Sequence, residues 1–154
     1  MIHEEIADFA RALGAASALA GLDYGDKTIG VAVSDTFRQV ATPLETIRRK
    51  KFTQDAAALG AILAGRGISG LVLGLPRNMD GTEGPRCQAT RAFARNLDRV
   101  LDVQIAFWDE RLSTVAAERA LIEADTSRAR RAQVIDHVAA AYILRGALDR
   151  MRLL

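Results

Sequence analysis

Cysteine, proline and tryptophan are scarce: the 154 residues hold one cysteine, three prolines and one tryptophan. A lone thiol, Cys87, excludes an intramolecular disulfide framework and fits a reducing compartment. Cys87 falls in a predicted helix with no histidine nearby, which favours a packed thiol over a nucleophile. Long apolar runs are missing too. None approaches the roughly 18 residues that span a bilayer, so no membrane association is expected. The N-terminus sets Glu4, Glu5 and Asp8 against Arg11 and resembles neither a signal nor a transit peptide. A cytoplasmic location is the expectation. Charge of one sign is also in short supply. The formal net charge of +2 does not by itself announce a nucleic-acid binder.

What is present is ordinary globular material, 49% hydrophobic and 26% charged, at a length that suits one domain with a sizeable core. Residues 4–14 read as a short helix, so residues 1–16 are taken as a helical extension and 17–154 as a single domain. Strands are predicted at Ser17–Leu22, Ile29–Ser34, Val40–Ile47, around Leu71–Leu73 and at Val103–Phe107. Pro43 marks its strand as an edge or a bulge. Helical stripes appear over 52–64, ended by Gly65 and Gly67, and from Pro85 to Val100. A further helix is capped by Ser113 or Thr114, and a last one runs from about Arg131 to Arg150. A three-strand meander followed by alternating strands and helices predicts an α/β fold, one mixed five-stranded sheet with helices on its faces.

The chemistry concentrates at element ends. The stretch GLDYGDKTIGVAVSD, residues 21–35, delivers Asp23 to the end of a strand, beside a tight turn that contains Gly25 and Lys27. A carboxylate on a rigid strand end suits a divalent cation held against phosphate. An Asp that merely opens a turn is the equally weighted alternative. Asp109 and Glu110 close the last strand, and alternation sends them to opposite faces. Asp136 opens the final helix and shares a face with Ala139, Ala140 and Ile143. An acid on an apolar face must be paired, hydrogen-bonded or metal-bound, although an Asp near a helix N-terminus is also favoured by the helix dipole. The loop Pro76–Gly84 leads into a helix N-terminus that suits a phosphate, with Arg77, Asn78 and Thr82 as side-chain donors. Basic runs at Arg48, Arg49, Lys50 and Lys51 and at Arg128, Arg130 and Arg131 are either solvated surface or a face that tracks phosphates. His3 and His137 carry no clear assignment.

The blocks GLDYGDKTIGVAVSD, VLGLPRNMDGTEG, DERLSTVAAERAL and IDHVAAAYIL resemble, in order, those of the YqgF family, pre-16S rRNA nucleases also discussed as Holliday junction resolvase homologues. The resemblance covers most of residues 18–148. It implies an RNase H-like three-layer fold. It also implies that Asp23, Glu110 and Asp136 are both catalytic and metal-ligating, holding Mg²⁺ or Mn²⁺, two ions in such sites. Carboxylates that bridge two ions about 4 Å apart should lie within roughly 8 Å of one another at one end of the sheet. Lys27, Arg48, Arg49, Arg77, Asn78, Thr82 and Arg111 are the implied substrate contacts.

Two departures from the family pattern stand out. The central strand ends Gly74-Leu75-Pro76 without an acid, so that carboxylate must come from Glu110. Thr28 stands where many relatives carry Arg.

The function implied is hydrolysis of structured RNA, at the 5′ end of a 16S rRNA precursor. Nucleic acid, and pre-ribosomal particles with it, are the expected partners, and the chain is taken as a monomer or homodimer. The alternatives are a junction-resolving DNA endonuclease, a non-catalytic RNA-binding assembly module, and an actin-like phosphate hairpin. The last needs two such domains, and this chain has room for one.

Overall fold

The apolar stretch that carries Asp23 forms a central strand of a six-stranded sheet in the computed structural model, which describes residues 1–112 and 128–154 and, in the last helix, side chains from 136 onward. The strands are β1 (Ile2–His3), β2 (Ala18–Tyr24), β3 (Thr28–Ser34), β4 (Ala41–Arg48), β5 (Ile68–Leu75) and β6 (Gln104–Asp109). The helices are α1 (Ile6–Ala12), α2 (Phe52–Arg66), α3 (Pro85–Val100) and α4 (Arg128–Arg152). A single 3₁₀ turn, Glu110–Leu112, follows β6. The expected helix at Ser113 or Thr114 lies outside the described residues.

The sheet order is β1-β6-β5-β2-β3-β4. Strands β2 to β4 form the antiparallel meander, and β2, β5, β6 and β1 run parallel. The sixth strand corrects the expected five. Ile2 and His3 pair with Ile105 and Ala106, but two residues are too few for a hydrophobic period to announce a strand. Residues near the N-terminus are further tied in by Phe9, which is fully buried, a burial worth about 1.5–3 kcal/mol. Pro43 sits on edge strand β4, where the register slips by one residue at Leu44, as a proline without an N–H requires. Helix α2 stops at Gly67 in the left-handed region, φ +61°.

Alternation divides the sheet into two faces. Leu22, Val31, Leu73, Ile105 and Phe107 pack under α2 and α3. Leu19, Ala32, Val72, Ala106 and Trp108 pack under α1 and α4. On this second face the helix backbone rests on the sheet backbone. A Cβ on Gly30 would lie 1.9 Å from the Asp136 carbonyl oxygen, and one on Gly21 would lie 2.7 Å from that of Ala140. Missing side chains on two strands therefore set the height of α4 where Asp136 and Ala140 cross the sheet. No described helix is long and apolar enough to cross a membrane.

Candidate active site

Asp23 follows Leu19 and Gly21 on the α4 face of β2 and is 8% exposed. It pairs in register with Gly30 on one side. The Leu22–Leu73 pair on the other side makes Gly74 its lateral neighbour. Helix α4 brings Asp136 over Gly30, and the Thr28 hydroxyl donates to Asp136 Oδ2 at 2.6 Å. Glu110 shares the parity of Ala106 and Trp108 and so belongs to the same face. Its carboxyl carbon lies 3.3 Å from where a Gly74 Cβ would stand, beside Ile143. The end of the central strand thus lacks an acid of its own and has the Glu110 carboxyl lying over it.

Asp136, Asp23 and Glu110 therefore occupy one face and one end of the sheet, over β3, β2 and β5. Three hard-oxygen donors on rigid elements fit Mg²⁺ or Mn²⁺ in kind. Among the described residues no group of three or more His, Cys, Asp or Glu side chains is arranged as a ready-made metal site. The Thr28 bond occupies one Asp136 oxygen. His137, next along the helix, is hydrogen-bonded through Nδ1 to the Thr46 hydroxyl at 2.9 Å. These two threonine contacts tie α4 at Asp136 and His137 to β3 and β4. Thr28, which stands where many relatives carry Arg, thus touches a site carboxylate. A hydroxyl two residues before the Gly30 crossing was the available signal.

Asp109 faces the opposite way. It accepts from Arg111 Nη2 at 2.7 Å and pairs with Arg77 at 3.5 Å. The Arg111 hydrogen bonds hold its carboxyl below the usual carboxylate range. Arg77 also pairs with Glu83 at 3.2 Å, Glu83 with Arg91 at 2.6 Å, and Arg91 with Glu4 at 2.7 Å. Hydrogen bonding from Arg91 likewise lowers the Glu83 pKa. An alternating ladder of six charges thus runs from the N-terminal segment to the end of β6. Within the 76–84 loop the Asn78 amide donates to the Thr82 hydroxyl at 2.9 Å, and that hydroxyl donates to Asp80 at 2.6 Å. Arg111 reaches the Met79 carbonyl at 3.4 Å. Arg77, Asn78, Thr82 and Arg111 are therefore brought together beside Asp109, where they already bond to the loop and to its acids.

The hairpin contacts divide. Arg49 Nη1 donates to the Gly25 and Asp26 carbonyls at 2.7 and 2.9 Å, with its guanidinium 4.4 Å from the Tyr24 ring centre. It braces the turn that follows Asp23. Lys27 and Arg48 are exposed. With Asp26, Arg49 and Lys50 they line a shallow depression. Cys87 is fully buried, and burial pushes its thiol pKa up, in keeping with a packed and unreactive side chain.

A mixed sheet with this strand order, an acid on its first long strand and another on its last helix defines an RNase H-like, resolvase-type α/β fold. The structure of RuvC from Thermus thermophilus in complex with a Holliday junction substrate superposes with a TM-score of 0.56 at 13% identity, over 88% of this chain and 96% of that one. The sequence profile of the RuvX family, described as Holliday junction resolvase, matches residues 17–150, and the chain belongs to this family of nucleases. Relatives named "Putative pre-16S rRNA nuclease" from Ruegeria sp. (strain TM1040) and Ruegeria pomeroyi are each 74% identical over 152 residues. The match spans 99% of this chain in both cases, and 97% and 99% of the respective relatives.

Proposed function

We propose that this chain is a divalent-metal-dependent nuclease that hydrolyses structured RNA, with the 5′ end of the 16S rRNA precursor as substrate and Asp23, Glu110 and Asp136 as its metal-holding carboxylates. The observation that carries the reading is the placement of these three acids on one face and one end of the sheet, on two strand ends and a helix seated on glycine. Ions bound there would activate a water and stabilise the leaving oxygen of a phosphodiester. Asp23 offers a carboxylate fixed by two flanking strands. Thr28 orients Asp136 by donating to one of its oxygens. Gly74 leaves the space that the Ile143 side chain fills, with the Glu110 carboxyl alongside it. Lys27 and Arg48 offer exposed charge to a phosphate backbone approaching from the hairpin side. The single buried cysteine and the pre-16S name carried by the relatives support action on pre-ribosomal particles in the cytoplasm.

A second reading, cleavage of branched DNA, is favoured by the description of the RuvX family and by the fold shared with a junction-bound RuvC. One experiment separates them. Wild type and Asp23→Asn are incubated with a 16S precursor and with a four-way junction, in Mg²⁺ and in Mn²⁺. The expected outcome is accurate trimming of the precursor by wild type alone. Asp23→Asn should stay folded, since removing one of several like charges relieves repulsion. Full activity of purified Asp23→Asn would overturn the mechanism. Junction cleavage without RNA cleavage would select the second reading.

A further inference from the structure

Cations near the catalytic end of the sheet fall into two groups. On the side of β5 and β6, Arg77 pairs with Glu83 and Asp109, and Arg111 pairs with Asp109. On the side of β3 and β4, Lys27, Arg48, Arg49 and Lys50 line a depression of about 280 Å³, with Asp26 as the one acid on its wall. None of these four cations makes an ion pair among the described residues. We infer that the depression seats one phosphodiester of the substrate strand, a near neighbour of the linkage that is cut, so that the strand runs from the carboxylates across the β2–β3 hairpin and not along the 76–84 loop.

The frame around the depression is fixed on every side. The Arg49 backbone N–H donates to the Lys27 carbonyl at 2.9 Å and extends the β3–β4 pairing past Thr28. The Arg49 guanidinium, bonded to the Gly25 and Asp26 carbonyls, lies on Tyr24, whose ring stacks on Phe93 at 4.2 Å. On the other side the Lys50 backbone N–H donates to Oδ1 of Asp55 at 2.9 Å, and Asp55 is 4% exposed. The Lys27, Arg48 and Lys50 side chains stay exposed above this frame. Gathering like charges on a fixed frame costs Coulomb energy, and an anion between them removes that cost. Composition points the same way. Of 21 lysines and arginines only Lys27, Lys50 and Lys51 are lysine; two line the depression and the third adjoins Lys50.

The position of the seat identifies the anion. Thr28, one residue after Lys27, pairs with Arg48 across the ladder and donates to Asp136. Consecutive Cα atoms are about 3.8 Å apart, so the depression borders the site carboxylates. Those acids repel a polyanion, and cations alongside them offset the repulsion for the phosphate next to the reacting one. A lysine ammonium is a point charge on a flexible stem. It suits a backbone phosphate and carries no information about the base. This inference deepens the nucleic-acid reading above and rests on it.

Its test needs no cleavage. Reductive methylation with ¹³C-formaldehyde keeps the lysine charge and labels only the three lysines and the terminal amine. The methyl signals are assigned with Lys27→Arg, Lys50→Arg and Lys51→Arg. In EDTA at low salt the labelled full chain is titrated with a single-stranded oligoribonucleotide and with a morpholino oligomer of the same sequence, whose backbone is uncharged. The RNA should shift the Lys27 and Lys50 signals saturably, and the morpholino should leave them in place. In fluorescence anisotropy, Lys27→Gln combined with Lys50→Gln should weaken RNA binding at least about tenfold. Both side chains are exposed, so the double variant keeps the fold. Arg66→Gln, which removes an exposed cation at the far end of α2, should change binding less than about twofold. RNA that binds in anisotropy yet leaves both lysine signals in place overturns the inference, as does an equal response to the morpholino. Either result leaves the carboxylate mechanism intact. RNA that does not bind at all overturns the nucleic-acid reading and this inference together.

Discussion

The Thr28 hydroxyl and the Asp136 carboxylate lie 2.6 Å apart, joining the first residue of β3 to the helix that crosses it. Hydrogen bonds to charged groups contribute about 1.5–3 kcal/mol, and Asp136 is only half-buried, so the lower end applies. Thr28→Val should lower the urea midpoint accordingly in EDTA and slow single-turnover cleavage. Thr28→Ser should restore both. Unchanged midpoint and rate in Thr28→Val would show that the bond does not orient the carboxylate.

Gly30→Ala tests the seat of α4. The added methyl would stand 1.9 Å from the Asp136 carbonyl oxygen, so the helix must lift. Overpacking of this kind costs about 1–3 kcal/mol, occasionally more, and should abolish cleavage in whatever fraction folds. Gly65→Ala is the matched control, because a Cβ there meets nothing within 4 Å. It should gain about 0.5–1 kcal/mol from helix propensity with activity unchanged. Chemical denaturation and cleavage of both variants decide the matter.

Glu110→Gln and Asp109→Asn should part company. The first should lose metal-dependent cleavage by at least about 100-fold with little change in stability. The second should cost stability within about 0.5–3 kcal/mol. The reverse pattern would move the third carboxylate to Asp109.

The same Asp109 gives a pH signature. Its pKa is lowered, first by the Arg111 side chain. A group depressed in the folded state contributes stability above its unfolded value, near 4, and that contribution is lost as pH falls through the folded value. Glu83 is depressed in the same sense by Arg91. Wild-type stability should therefore fall as pH drops below about 4, and Asp109→Asn should fall less steeply over that window. Parallel curves from acid titrations of the denaturation midpoint would remove Asp109 from the account.

Lys27 and Arg48 should behave differently from Arg49. Removing either exposed cation should reduce the log–log salt slope of RNA binding by about 0.7–0.9. Arg49→Ala should instead cost about 1–3 kcal/mol of stability through its two carbonyl bonds and its stacking on Tyr24. Equal slopes in all variants would make the hairpin cations ordinary surface.

Much of this architecture was legible in the sequence, for reasons that can be named. Alternation separates Asp109 from Glu110, Pro43 marks the edge strand and its bulge, Gly67 stops α2 and Pro85 starts α3. Each is a local rule acting over a few residues. What escaped depended on partners distant in sequence. Ile2 and His3 become a strand only because β6 is beside them. Arg77 looks like a free phosphate ligand until Glu83 and Asp109 are seen against it. The basic run at 48–51 reads as one patch, yet Arg49 alone turns inward to the carbonyls of a turn 23 and 24 residues earlier.

The ladder Glu4–Arg91–Glu83–Arg77–Asp109–Arg111 has an evolutionary corollary. Each interior member bonds to two neighbours of opposite sign, so replacing one takes a partner from the charge on either side. Groups sharing one network couple by about 0.5–3 kcal/mol. Substitutions along it are therefore epistatic: a change at Glu83 tolerated beside one partner becomes harmful beside another. Drift in this region is expected to proceed by compensating pairs, and a residue transplanted singly from a relative should fare worse than the same residue moved with its neighbours.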